Sequence, residues 1–160
     1  MNVALRDLAE RIRGELPQVG RAAERASLSW DSARRNPEEV AYLDSVALNL
    51  HGFYSGLERL FELIARFVDG VEPSGNTWHR DLLKMMAQDK KEVRPAVLSV
   101  ENVSTLDEFR RFRHLVRNVY SMNIIPKRLE PLVTKLPALW DSLRRELLAF
   151  ADFIDALADG

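Results

Sequence analysis

The sequence predicts an all-α fold, an antiparallel bundle of four or five helices. Three observations lead there. Apolar residues recur at spacings of three and four along most of the chain, the period of a helix face. One such stripe continues for roughly 33 residues, about 50 Å at 1.5 Å per residue, a length suited to long bundles. No stretch alternates in the strict manner of a half-buried strand, and no internal repeat or low-complexity segment interrupts the pattern. With 160 residues, 46% of them apolar, the chain is read as one domain, residues 1–160, able to bury its own core.

The first helix carries Leu5, Leu8, Ile12, Leu16, Val19 and Ala23 on one face. Pro17 is expected to kink or break it, because proline lacks the N–H and its ring clashes with the preceding turn. "RNPEEV" reads as the next start, with Asn36 as N-cap, Pro37 in the first helical position and Glu39 closing a capping box. The long stripe follows as Val40, Leu43, Ala47, Leu50, Leu57, Phe61, Ile64 and Val68, and stops at Gly70. "DGVEPSGNT" is a break. Thr77 is a candidate cap for a third helix with Leu82, Leu83 and Met86 inward. Residues 89–103 give no clear element, and Pro95 limits any helix there. Ser104, with Asp107 three residues on, opens the fourth helix, which "SMNIIP" interrupts. The last runs from Lys127 to about Ala158, with Leu129, Leu132, Leu136, Leu139, Leu143, Leu147, Phe150, Ile154 and Leu157 inward. Pro131 and Pro137 blur its start.

Composition narrows the function. A formal net charge of −1 argues against a protein that coats nucleic acid by bulk charge, yet permits a local basic patch. The absence of cysteine removes disulfides, thiolate metal sites and cysteine nucleophiles, and fits a reducing compartment. "MNVALRDLAERIRGEL" is charged throughout and has no apolar signal region. No run approaches the ~18 apolar residues of a membrane span. The expectation is a soluble, cytoplasmic protein with no membrane partner. There is no HExxH pair and no phosphate-binding glycine loop, so neither a metal nor another cofactor is called for.

The unusual stretch is "FRRFRHLVRNVY", residues 109–120, with four arginines and one of only three histidines. On a helical wheel Phe109, Phe112, Leu115, Val116 and Val119 share an arc facing the core. Arg110, Arg113, His114, Arg117, Asn118, Tyr120 and Ser121 fill the other. No acid occurs from residue 110 through 129, and Lys127 and Arg128 extend the basic run. An ordinary solvated face mixes signs. Arg113 and Arg117, one turn apart, repel by roughly 0.2–0.5 kcal/mol. Three things can offset that: acids of a neighbouring helix, with Glu58 and Glu62 as candidates; acids of a partner subunit; or phosphate, which guanidinium binds bidentately. Histidine adds proton transfer to or from a ribose hydroxyl. A proton shuttle beside cations is what RNA cleavage without a metal requires.

The remaining singular residues have two readings each. His79 in "TWHRDLL" is a second member of that site or a capping or surface histidine. His51 is read as a hydrogen bonder at the core edge. Trp30, Trp78 and Trp140 are core or interface anchors. Tyr54 lines the polar seam or simply packs, and Met85 and Met86 fill a core.

"LDEFRRFRHLVRNVYS" resembles the HEPN superfamily, in particular the HepT-like ribonuclease toxins. "LHGFYSGLERLFELIARFVDG", "GNTWHRDLLKMMA", "VRPAVLS" and "LPALWDSLRRELLAFADFIDAL" extend the resemblance in order and spacing over roughly residues 5–157. The resemblance implies a HEPN-type bundle that forms a homodimer through the motif helices, with a composite RNA-cleaving site at the seam. It implies a toxin–antitoxin pair, with an MntA-type nucleotidyltransferase antitoxin that silences the toxin by transferring AMP to a tyrosine. The family motif is an arginine, four to six residues and a histidine, with a tyrosine two residues further. Arg113 matches the arginine and Tyr120 the modified tyrosine. The histidine position falls on Asn118, whereas His114 occupies the polar slot beside Arg113. Asparagine is no general base. Either His114 acts from one turn earlier, with Arg117 as partner cation, or the chain binds RNA without cutting it. Arg110, Lys127 and Arg128 are candidate further phosphate contacts.

Overall fold

The computed structural model describes residues 2–118 and 126–160, and the side chains of these apart from residues 115–118. The described residues form an all-α bundle of five helices: α1 (Val3–Arg35), α2 (Val40–Ile64), α3 (Trp78–Met86), α4 (Val100–Asn118) and α5 (Pro126–Asp159). A π-helical turn, Ala65–Asp69, extends α2. Among the described residues the sole extended pairing is one bridge between Lys90 and Arg94.

Helix α1 packs along both α2 and α5, and α4 closes the far side against α2, α3 and α5. Side-chain and backbone pairs give the directions. Ser29 meets Ser45 at 2.7 Å, and a Cβ on Gly56 would lie 3.1 Å from Val19, so α1 and α2 run antiparallel. The Asn2 amide donates to the Ala158 carbonyl at 3.0 Å, and Arg13 reaches Asp152 and Asp155, so α5 returns antiparallel to α1. Phe53 of α2 sits at the junction, 5.6 Å from the Phe109 ring of α4 and 6.0 Å from Trp140 of α5. The expected stripes of α1 and α5 are buried, except that Leu157 is 41% exposed near the chain end. Trp30 is buried, and Trp78, Trp140 and Met85 pack against the core more partially.

Several boundaries differ from the sequence expectation. Pro17 does not break α1, which is continuous for 33 residues. Pro131 and Pro137 likewise lie inside α5. All three are exposed. Water can satisfy the carbonyls that a proline leaves without a donor, while the buried stripe on the other face holds the helix. Asn36 does not cap α2. Its amide side chain donates to the Ser32 carbonyl at 2.9 Å, so it finishes α1. Pro37 falls in a turn and Glu39 makes no side-chain cap bond, so no capping box forms. Val40 begins α2 and is 62% exposed. Gly70 ends the π turn at φ 67°, the left-handed conformation that favours glycine.

Thr77 stands before α3, but its hydroxyl donates to the Asp81 carboxylate at 2.8 Å instead of capping backbone. Helix α4 opens at Val100, not Ser104. Ser99 accepts from the Asn102 amide at 3.2 Å, and the Ser99 amide donates to Glu146 of α5 at 3.0 Å. That tie, with the Lys135–Glu108 pair at 2.8 Å, fixes the path of α4 beside α5. "SMNIIP" lies outside the described residues up to Pro126, which begins α5.

The segment between α3 and α4 is organised by Arg94. Its guanidinium donates to both oxygens of Asp69, at 2.7 and 2.9 Å, and to the carbonyls of Gln88, Pro95 and Met85. Both side chains of this ion pair are 0% exposed. Val97 and Leu98 are buried, their amides donating to the Met86 carbonyl at 2.9 and 3.0 Å.

Candidate functional site

The polar face of α4 meets the start of α3. Between them lies an open cleft of about 240 Å³, lined by Asn76, Thr77, His79, Arg80, Arg110, Arg113 and His114. No carboxylate is among these residues, so the lining is cationic and imidazole-bearing. Two patterns bring it about. Phe109 and Phe112 are buried and rotate the polar arc of α4 outward. The break before α3, followed by Leu82, Leu83 and Met86 in the core, turns the opposite edge of α3, with His79 and Arg80, to the cleft.

A buried acid lies behind this surface, and two more accessible ones, Asp107 and Asp81, flank it beside Arg110 and Thr77. Glu58 of α2 is only 5% exposed. One of its oxygens is 2.8 Å from His79 Nδ1, and the other is 3.7 Å from an Arg113 terminal nitrogen. Arg113 Nε also donates to the Ser55 hydroxyl at 2.8 Å. Residues Ser55 and Glu58 are neighbours on one face of α2, so a single helix face steers both an arginine and a histidine. The His79 ring stacks on Trp78, with centroids 3.6 Å apart. Arg110 is held by Asp107 of its own helix at 2.7 Å.

Two further groups feel this charge. Glu62, one turn beyond Glu58, has its carboxyl pushed above the usual range by partial burial and by the neighbouring Glu58 charge, with Arg66, His79 and Arg113 opposing. Tyr54 is fully buried, and its hydroxyl has no hydrogen-bond partner among the described residues. Burial pushes its phenol far above the ordinary range, reinforced by the Glu58 charge.

Among the sequence candidates, Arg110, Arg113 and His114 come together at the cleft. Glu58 is the acid that meets the basic face. Glu62 acts on Arg113 only through its charge. The side chains of Arg117 and Asn118, and all of Tyr120, lie outside the described residues. Lys127 and Arg128 are exposed in the first turn of α5 and do not line the cleft. His79 belongs to the cleft wall. His51 on α2 is half-buried and elsewhere. Asn76, Thr77 and Arg80 also line the cleft, with no motif to mark them. Their only sequence signal was a polar turn before a short helix, which many turns share.

Among the described residues, no group of three or more His, Asp and Glu side chains is placed to hold a metal ion, and no helix is long and apolar enough to cross a membrane.

No curated protein and no solved structure matches the chain. A family model described as "HepT-like protein" matches residues 45–154, from the sixth residue of α2 into the last turns of α5, with the whole cleft inside the match. The chain belongs to the HepT-like family, and its five-helix architecture fits a HEPN-type bundle.

Proposed function

We propose that this protein is the toxin subunit of a toxin–antitoxin pair, a metal-independent endoribonuclease that works as a homodimer. The observation that carries this reading is the acid-free cleft uniting His114 with Arg110, Arg113, Arg80 and His79. His114 serves as proton-transfer group, and Arg113, with Arg117, stabilises charge on the phosphorus centre. Arg110, Lys127 and Arg128 contribute attraction for the RNA backbone. The 2′-hydroxyl attacks phosphorus and the 5′-oxygen leaves, giving a 2′,3′-cyclic phosphate end. The family resemblance supports adding a composite dimer seam, and control by AMP transfer to Tyr120 from an MntA-type nucleotidyltransferase antitoxin.

The test is cleavage of tRNA or mRNA by the purified protein in EDTA, beside His114→Ala and Arg113→Ala. The expected outcome is cleavage by the native chain, with both variants reduced by about 10²-fold or more. Equal, background-level cleavage by all three removes the ribonuclease reading. Mass spectrometry after co-expression with the antitoxin should find AMP on Tyr120, and an unmodified tyrosine removes that control.

A second reading has its own support. Asn118 stands where the family motif has histidine, and Arg113 is already engaged by Glu58 and Ser55. On that reading the basic helix binds RNA or the antitoxin without cutting. RNA retention on a filter without cleavage favours it.

A further inference from the structure

The geometry points to His79 as a second catalytic imidazole, the general base that takes the 2′-hydroxyl proton while His114 protonates the leaving oxygen. This rests on the ribonuclease reading above and assigns to the cleft a residue outside the motif helix.

Three observations carry it. His79 lines the same cleft as His114, and comes to it from a different element, α3 rather than α4. Two proton-transfer groups on separate elements can flank one phosphodiester, one at the attacking oxygen and one at the leaving oxygen. Adjacent groups on one helical turn cannot do so as readily. Second, the His79 side chain is 24% exposed and Glu58's is 6% exposed, with 2.8 Å between Nδ1 and the carboxylate. A buried carboxylate that accepts from Nδ1–H fixes the tautomer, so Nε2 presents its lone pair as a proton acceptor. Third, Trp78 stacks on the ring, and Glu58 is itself flanked by Arg113. The imidazole is therefore clamped on one face and at one nitrogen, which is how a base is kept in a single productive orientation.

The step balances without an added reagent. The 2′-oxygen forms a bond to phosphorus as its proton passes to His79 Nε2. The bond from phosphorus to the 5′-oxygen breaks, and that oxygen takes a proton from His114. The products are the cyclic phosphate and a 5′-hydroxyl, and solvent returns the proton from His79 to His114. Glu58 is a positioning residue here, because it acts through His79.

The experiment uses the full chain, with a fluorescent RNA oligonucleotide cut in EDTA and cyclic-phosphate ends scored. His79→Asn retains an amide that can donate to Glu58 but cannot accept the proton. His79→Ala opens a space for free imidazole. Thermal melting identifies which variants fold, and the asparagine variant decides if the alanine one does not. Both are expected to lose about 10²- to 10⁴-fold in rate. Added imidazole is expected to restore part of the loss in His79→Ala and none in His79→Asn. A bridging 5′-thio linkage, whose sulfur leaves without a proton, should rescue His114→Ala and leave His79→Asn slow. Native-like cleavage by folded His79→Asn overturns the proposal while leaving the ribonuclease reading intact. So does loss in folded His79→Ala without imidazole rescue, or rescue of His79→Asn by the thio linkage. Absence of cleavage by the native chain overturns both together.

Discussion

Two arginine–carboxylate pairs flank α3, and they are built to different standards. Arg94 and Asp69, behind its C-terminal end, are sealed from solvent and joined bidentately, and the guanidinium also serves three backbone carbonyls. Arg113 and Glu58, at its N-terminal end, are 3.7 Å apart, too far for a direct hydrogen bond. Glu58 divides itself between Arg113 and His79, and Arg113 borders an open cleft. A pair that satisfies itself fully has nothing left for a ligand and serves the fold. A pair that is loosely met beside an open cleft can hold its groups in place for something else. The difference separates a structural arginine from a candidate functional one without reference to any motif.

The sharpest way to break this contrast is to remove each arginine. Arg94→Ala leaves Asp69 charged and buried, with Lys90 still 3.6 Å away, and strips three backbone carbonyls of their donor, so it is expected to cost about 3–5 kcal/mol in urea unfolding. Arg113→Ala should cost less stability, about 1–3 kcal/mol, because Glu58 keeps His79. Its main effect should be on RNA cleavage, a loss of about 10²–10³-fold. Similar stability losses for the two would put them in one class and end the distinction.

Salt offers a gentler separation. If the cleft binds RNA phosphates, the logarithm of the binding constant should fall with the logarithm of salt concentration, by about 0.7 per phosphate contacted on single strands. Filter binding at several salt concentrations reads the slope, and Arg110→Ala or Arg113→Ala should make it shallower. The melting contribution of the sealed Arg94–Asp69 pair should change little over the same range, since buried pairs are poorly screened.

The smallest effect concerns Glu62. Its pKa is raised in the folded chain, so its contribution to stability is complete below the ordinary carboxylate range and lost as pH rises through the raised value. Glu62→Gln should therefore raise the melting temperature slightly at neutral pH. In acid below its ordinary range the gain should vanish. A gain that persists there would mean that burial of the charged carboxylate and the neighbouring Glu58 charge are not its cause.

Local patterning made much of the fold legible. The 3.6-residue period of "LHGFYSGLERLFELI" or "LWDSLRRELLAFADFI" has no rival interpretation, because only a helix puts those apolar residues on one face. The boundaries were less so. Asn36 carries the same amide whether it starts α2 or ends α1, and only the position of Ser32 decides. Ser99 carries no local signal of its role, because its partner, Glu146, is 47 residues away.

The candidate site divides in the same way. The sequence by itself determined that residues 109–118 belong to an amphipathic helix whose polar positions from 110 on carry no acid, since charge order and periodicity are local properties. It also offered Glu58 and Glu62 as acids available to that face, without deciding between them. Only the tertiary structure decided that Glu58 would lie behind the cleft and meet both Arg113 and His79. The reason is physical: α3 reaches α4 and α2 through core contacts of Leu82, Leu83 and Met86, and a histidine's role depends on what stands 2.8 Å from its ring. No spacing along the chain encodes that distance.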